Sequence, residues 1–248
     1  MNKSEFPFLS ISQLSKLLAT KEVSPVEVTA AYLERIENLN GKLHAYVTIT
    51  ADKAIEAAQK AEQEIVQGNY RGPMHGVPIA VKDQIQTEGI LTTGGSPIFN
   101  DNIPTEDATV VKNLKAAGAV LLGKLNMTEF ATTALSHQFD PPRNPWDLER
   151  STGGSSSGSG AATAAFLCGS ALGEDTGGSV RLPAAWCGLA GIRPTWGRVS
   201  RYGVMPGVRS MDTVGPLART VEDCALTLAT IAGHDPKDEM SSSEPVPD

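Results

Sequence analysis

Between Ser151 and Gly191 the chain reads STGGSSSGSGAATAAFLCGSALGEDTGGSVRLPAAWCGLAG, and no other stretch restricts its fold as tightly. Ten of the 24 glycines fall in these 41 residues, so the backbone freedom of the chain is concentrated here. They form two clusters. The first is Gly153-Gly154-Ser155-Ser156-Ser157-Gly158-Ser159-Gly160, and the second is Asp175-Thr176-Gly177-Gly178-Ser179. Residues without a Cβ take conformations closed to others and let N–H groups approach a ligand closely. Each cluster also sets serine hydroxyls inside a turn. The pattern predicts two turns, joined by a short small-residue segment, that together carry a reaction centre of serines and backbone amides.

Other readings of the glycines fit less well. STGGSSSGSG has the composition of a flexible linker. An apolar small-residue segment follows at once, however, and a second Gly-Gly-Ser turn comes soon after. Gly153 to Gly158 has the four-residue gap of a phosphate loop, but Ser159 stands where the lysine belongs. Gly158-x-Gly160 is followed by Thr163 where a dinucleotide fingerprint needs Gly or Ala. Gly154-Ser155-Ser156-Ser157-Gly158 satisfies G-x-S-x-G, yet that elbow requires a strand directly before it. Here Pro145 and the charged run Asp147 to Arg150 precede it, and His234 is the only histidine downstream.

Net charge of −7 and a pI near 5.2 argue against a dedicated binder of nucleic acid or anionic membrane, while leaving open a partner subunit that binds RNA. The opening MNKSEFPFLS lacks the apolar core of a signal peptide. No apolar run approaches the roughly 20 residues needed to span a bilayer. Cys168, Cys187 and Cys224 form no C-x-x-C pair and are odd in number, which predicts buried, reduced thiols and a cytoplasmic protein. The four histidines show no metal-ligand spacing, so neither a metal nor a cofactor is expected.

The rest of the chain alternates helix and strand. Ser10 and Gln13 open a helix to Ala19. Ser24, Pro25 at the first helical position and Glu27 closing a capping box open a second, which Asn40-Gly41 ends. Leu43 to Ile49 reads as extended, and Ala51 to Gln67 as helix with Gly68 as its stop. These amphipathic N-terminal helices are packing elements; a homodimer surface is left open. In GPMHGVPIAVKD, Val77, Ile79 and Val81 alternate as in a strand, and Lys82 at its end is either a solvated edge charge or a functional group. Thr92 to Pro97 is a turn, Asp107 to Ala117 a helix stopped by Gly118, and Val120 to Leu122 a short buried strand. Ser136 to Ser151 reads as loop, Ala161 to Cys168 as helix, and Ala171 to Gly173 as strand. Arg193-Pro194-Thr195 leads into a loop rich in Arg and Gly, and Thr220 and Asp223 cap a last helix, Val221 to Ala232. The expected organisation is one domain over 1–248: a helical region 1–70, a core 71–235 and a disordered tail 236–248.

GGSSSGSGAA, LGEDTGGSVRLPAAWCGLAGIRPTWGRVSRYG and the upstream GVPIAVKD together resemble the amidase signature family. The resemblance runs from the N-terminal helices to ARTVEDCALTLATIAGHDP. Within the family, NPWDLER, GRVSRYG and IAGHDP look closest to certain amidases and to the A subunits of amidotransferases. The resemblance implies an α/β fold, three-layer α/β/α with a mixed central sheet. It also implies a Ser-Ser-Lys triad in which Ser179 is the nucleophile, Ser155 the bridging serine behind a cis peptide bond, and Lys82 the base. Thr176, Gly177, Gly178 and Ser179 match the family's oxyanion-hole amides. The implied activity is hydrolysis of a small-molecule carboxylic amide through an acyl-enzyme, with release of ammonia or an amine. The alternative is a glutaminase-type subunit feeding ammonia to an amidotransferase partner that acts on tRNA. The family's domain continues past the length of this chain. The expectation is therefore of a sheet present in part, a site open on one side, and either an active amidase or an inactive fragment.

Overall fold

The structure, a computed structural model, describes residues 2–132 and 137–246. Its centre is β2 (Pro78–Lys82), every residue of which is buried. Successive side chains of a strand point to opposite faces, so burial of Ile79, Ala80 and Val81 alike requires cover on both sides of the sheet. Lys82 is therefore no edge charge: it closes a central strand and is fully enclosed.

Before β2 come α1 (Ile11–Ala19), α2 (Pro25–Leu43), β1 (Tyr46–Ile49) and α3 (Ala51–Val66). Ser10 and Gln13 form the expected capping box. Ser24 accepts from Val26 N and Glu27 N, but Glu27 turns outward to Lys3 at 3.0 Å and does not complete a box. Nor does α2 stop at Asn40-Gly41. Asn40 instead straps the helix to the next strand, its amide exchanging hydrogen bonds with Tyr46 at 2.8 and 3.2 Å, and left-handed His44 is the cap.

After β2 follow α4 (Thr109–Ala116), β3 (Val120–Leu125), the hairpin β4 (Arg143–Asn144) and β5 (Asp147–Ser151), α5 (Ser157–Ala164), β6 (Ser170–Glu174), α6 (Arg181–Trp186), β7 (Ala190–Gly191), β8 (Val214–Ala218) and α7 (Val221–Ile231). The sheet order is β1-β3-β2-β6-β8-β7. β2 runs parallel to β3 and β6, and the other pairings are antiparallel, giving the expected mixed sheet. α2, α3, α5 and α7 pack on it.

Other differences from expectation have local causes. The 137–151 part of the stretch expected as loop contains the β4–β5 hairpin, and Ser136 lies outside the described residues. α5 runs from Ser157, inside the first glycine cluster, to Ala164, earlier at both ends than the expected Ala161 to Cys168; a Cβ on Gly158 would lie 2.4 Å from Ala45 O and 2.5 Å from Asn126 N. Glycine lets that helix end approach two backbones. The described part of the predicted disordered tail, to residue 246, packs on the preceding loop: Asp238 pairs with Arg201 at 2.9 Å, and Arg198 donates to Glu244 O and Pro245 O at 2.8 Å. Residues 247 and 248 lie outside the described residues.

Candidate active site

The registers Lys82↔Leu125, Val81↔Leu172 and Glu174↔Val214 bring the C-terminal ends of β2 and β6 beside the start of β8. The turn 175–179 leaves β6 at that edge, and the first glycine cluster leads into α5 against it. Carboxyl ends of parallel strands, where the chain splays into turns, are where α/β sheets place their ligand sites.

Lys82 Nζ donates to Ser155 Oγ at 2.7 Å and to Glu174 O at 3.4 Å. Burial lowers the Lys82 pKa to about 8, because an ammonium there gives up its water; Glu174, then Asp175 and Asp212, oppose the drop. Ser155 is itself buried, follows a cis Gly154–Ser155 peptide bond, and accepts from Thr128 N through its carbonyl at 3.1 Å.

Ser179 is half-buried. Its carbonyl accepts from Ser156 N at 3.3 Å, which fixes the two glycine clusters side by side. Among the described residues no hydrogen bond joins the Ser155 and Ser179 hydroxyls, so the structure links Lys82 to Ser155 but leaves the second contact open.

The turn ending in Ser179 is wound around Asp175. Its carboxylate accepts from Gly178 N at 2.7 Å, Val180 N at 3.1 Å and Arg181 N at 3.3 Å, and takes Arg181 as a fork at 3.0 Å to each oxygen. Arg193 adds a contact at 3.4 Å. Burial alone would raise the Asp175 pKa, but these donors outweigh it and hold the carboxyl below its usual range. One expected amide is thereby removed from the candidate oxyanion site: Gly178 N–H faces Asp175. The N–H groups of Thr176, Gly177 and Ser179 meet no acceptor among the described residues.

Ser156, the serine of the apparent G-x-S-x-G elbow, is fully buried, and its Oγ lies 3.3 Å from both Glu174 O and Glu174 N. Ser159 Oγ donates to Leu172 O at 3.2 Å. These hydroxyls tie α5 to β6.

Three acids at the site carried no signal read from the sequence. Glu174 and Asp175 interrupt the apolar run ALG at the entry to a glycine turn, and charge at the buried end of a strand is the clue that could have exposed them. Asp212 comes close only through the β6–β8 pairing. A second enclosed lysine, Lys124, has its pKa lowered by burial to about 8, but it donates to Ile85 O and to Thr92 Oγ1 at 2.7 Å and faces Asp83 at 3.7 Å. Among the described residues no serine hydrogen-bonds to it. Among the described residues no cluster of three or more His, Cys, Asp or Glu is placed to hold a metal ion.

The sequence model of the amidase family matches residues 27–248. The A subunit of the glutamyl-tRNA(Gln) amidotransferase of Moorella thermoacetica is 52% identical over 246 residues, covering 98% of this chain and 50% of the relative. The solved structure of the corresponding A subunit from Thermotoga maritima superposes with a TM-score of 0.84 at 38% identity, over 97% of this chain and 50% of that one. The native peptide amidase of Stenotrophomonas maltophilia gives 0.90 at 36% identity, over 97% and 51%. The chain thus spans about half the length of the curated relatives it matches.

Proposed function

We propose, from the premise that this chain belongs to the amidase family, that it carries the catalytic centre for hydrolysis of carboxylic amides, with Ser179 as nucleophile, Ser155 as proton relay and Lys82 as base. The observation that carries this reading is the 2.7 Å contact of a fully enclosed Lys82 Nζ with Ser155 Oγ, beside the turn that holds Ser179.

Freeing an ordinary lysine of its proton at pH 7 costs roughly 4.6 kcal/mol; with a pKa of about 8 the cost falls to about 1.4 kcal/mol, and ~10% of the base is ready. As Lys82 takes the Ser155 proton, Ser155 takes that of Ser179, because a hydroxyl both donates and accepts. Closing this relay requires the Ser179 hydroxyl to turn onto Ser155, across backbones already tied at 3.3 Å. Ser179 Oγ then attacks the amide carbon. The unoccupied N–H groups of Thr176, Gly177 and Ser179 receive the oxyanion, each such donor being worth on the order of 10²–10³ in rate. The proton returns through Ser155 to the departing nitrogen, ammonia or an amine leaves, and water releases the acyl group.

The high identity to the A chain of an amidotransferase favours a second reading on the same chemistry. Here the amide is that of glutamine, and the ammonia passes to a partner that acts on tRNA. No helix among the described residues is long and apolar enough to cross a membrane, and the three unpaired, buried cysteines support a cytoplasmic location.

Fluorophosphonate labelling tests the centre directly. Label should attach to Ser179 and vanish in Ser179→Ala; label retained by that variant, or none on the wild type, refutes the active centre and leaves an inactive scaffold. Glutamine-dependent ammonia release that rises when a co-purifying partner is added selects the amidotransferase reading. Hydrolysis of simple amides indifferent to glutamine selects the amidase.

A further inference from the structure

Glu174 ends β6 with its carboxylate in the same enclosed space as Lys82. Oε2 lies 3.8 Å from Lys82 Nζ, and both side chains are essentially without solvent contact. Two other acids bear on the lysine, Asp175 and Asp212, but each is already committed. Asp175 serves three backbone amides, the Arg181 fork and Arg193. Asp212 accepts from Gly207 N at 2.9 Å, Val208 N at 2.8 Å and the Thr176 hydroxyl at 2.6 Å. Beyond β2, Asp83 faces Lys124.

Glu174 is far less provided for. Gln84 Nε2 approaches at 3.4 Å while also serving Met205 O at 2.9 Å. The Thr176 hydroxyl lies 3.1 Å from Oε1. That hydroxyl has one proton, and its shorter contact is the one to Asp212, so it turns a lone pair toward Glu174. Burial pushes the Glu174 carboxyl up, repulsion between two unprotonated oxygens at that distance adds to this, and the Lys82 ammonium opposes it.

We propose that Glu174 is a positioning residue for the base of this site: its carboxylate is the counter-charge of protonated Lys82, and it decides the pH at which Lys82 becomes a free amine. The role of Lys82 as base rests on the function proposed above, but the pairing of the two groups does not. Without Glu174 the ammonium faces only committed acids, so Lys82 sheds its proton more readily.

The experiment is an NMR titration of the chain with labelled lysine and glutamate side chains, Lys82 being assigned by loss of its signal in Lys82→Met. In the wild type Lys82 should titrate near pH 8. In Glu174→Gln it should titrate at least about one pH unit lower, the least effect of losing an opposite charge within roughly 4 Å. Lys124, held by a different acid, should keep its midpoint and so report an intact fold. An unchanged Lys82 midpoint beside an unchanged Lys124 overturns the proposal. Should the variant disturb Lys124 as well, the wild type decides alone: the Glu174 carboxyl signal must move in step with Lys82, and a Glu174 signal silent through that transition overturns the pairing. Neither readout needs turnover, so failure of Ser179 labelling sinks the catalytic reading while leaving this result to stand or fall separately.

Discussion

Lys82 Nζ and Ser155 Oγ lie 2.7 Å apart although 73 positions separate them in the chain. The lysine is placed by a central strand and the serine by a glycine-rich approach to a helix, so neither can leave without disturbing the core. If this contact drives the chemistry, only the unprotonated amine is competent. Because burial lowers the Lys82 pKa to about 8, the competent fraction rises to about half at pH 8 and about nine-tenths at pH 9, and is flat beyond. Fluorophosphonate labelling of Ser179 should quicken about tenfold from pH 6 to pH 7 and level off by about pH 9. A labelling rate flat from pH 6 to 9 removes Lys82 from the mechanism.

Neighbouring serines separate function from support. Ser155→Ala removes the proposed relay but opens only a small space, so the folded chain should label Ser179 at least 10²-fold more slowly. Ser156→Ala takes away the oxygen facing Glu174 N and O, leaving the buried Glu174 N–H without its acceptor. It should lower unfolding free energy by about 1–3 kcal/mol in urea melts while labelling stays near the wild-type rate. The reverse pattern would restore the G-x-S-x-G elbow and make Ser156 the functional hydroxyl.

Asp175 holds the turn that presents Ser179 and the three unoccupied amides. Asp175→Asn keeps the shape but loses the charge that gathers Arg181, Arg193 and three N–H groups. Hydrogen bonds to a charged group are worth about 1.5–3 kcal/mol, so the variant should unfold at visibly lower urea and label Ser179 at least tenfold more slowly. Unchanged labelling together with a lowered midpoint would show that the turn keeps its geometry without that carboxylate.

The elements that announce themselves locally were legible in the sequence. Ser10 with Gln13, Thr220 with Asp223, and left-handed Gly68 and Gly118 mark helix ends through contacts within a few residues. The 2.7 Å Lys82–Ser155 contact and the cis Gly154–Ser155 bond agree with what the family resemblance implied. What escaped depends on distant pairing. β8 contains Gly215 and Pro216, which read as turn residues, and it becomes a strand only between β6 and β7. Gly178 looked like a fourth oxyanion donor because nothing in DTGGS reveals that the aspartate of the same turn captures its N–H. The commitments of Asp175 and Asp212, which single out Glu174, are equally invisible without the fold.

The enclosed titratable groups also give the whole chain a pH-dependent stability whose sign can be worked out. Lys82 and Lys124 both have folded pKa values lowered to about 8 from 10.5. Between those limits the unfolded chain binds more protons, so stability rises with pH there. Cys168 is pushed by burial to about 11, and Cys187 and Cys224 to about 12, from 9.0. From about pH 8 upward the unfolded thiols lose protons that the folded ones keep, so their contribution falls as pH rises. From pH 8 to 9 the two lysines outweigh the three thiols, which are about half ionised in the unfolded chain by pH 9, and beyond it the thiols prevail. Urea unfolding should therefore show stability climbing by on the order of 1 kcal/mol from pH 8 to 9 and declining by pH 10.5. In Lys124→Met, which lies outside the proposed centre, the climb should all but vanish whatever the variant's absolute stability. A wild-type stability that falls between pH 8 and 9 would mean that both lysines reach water in solution, and with it the enclosed base of the proposed mechanism would be lost.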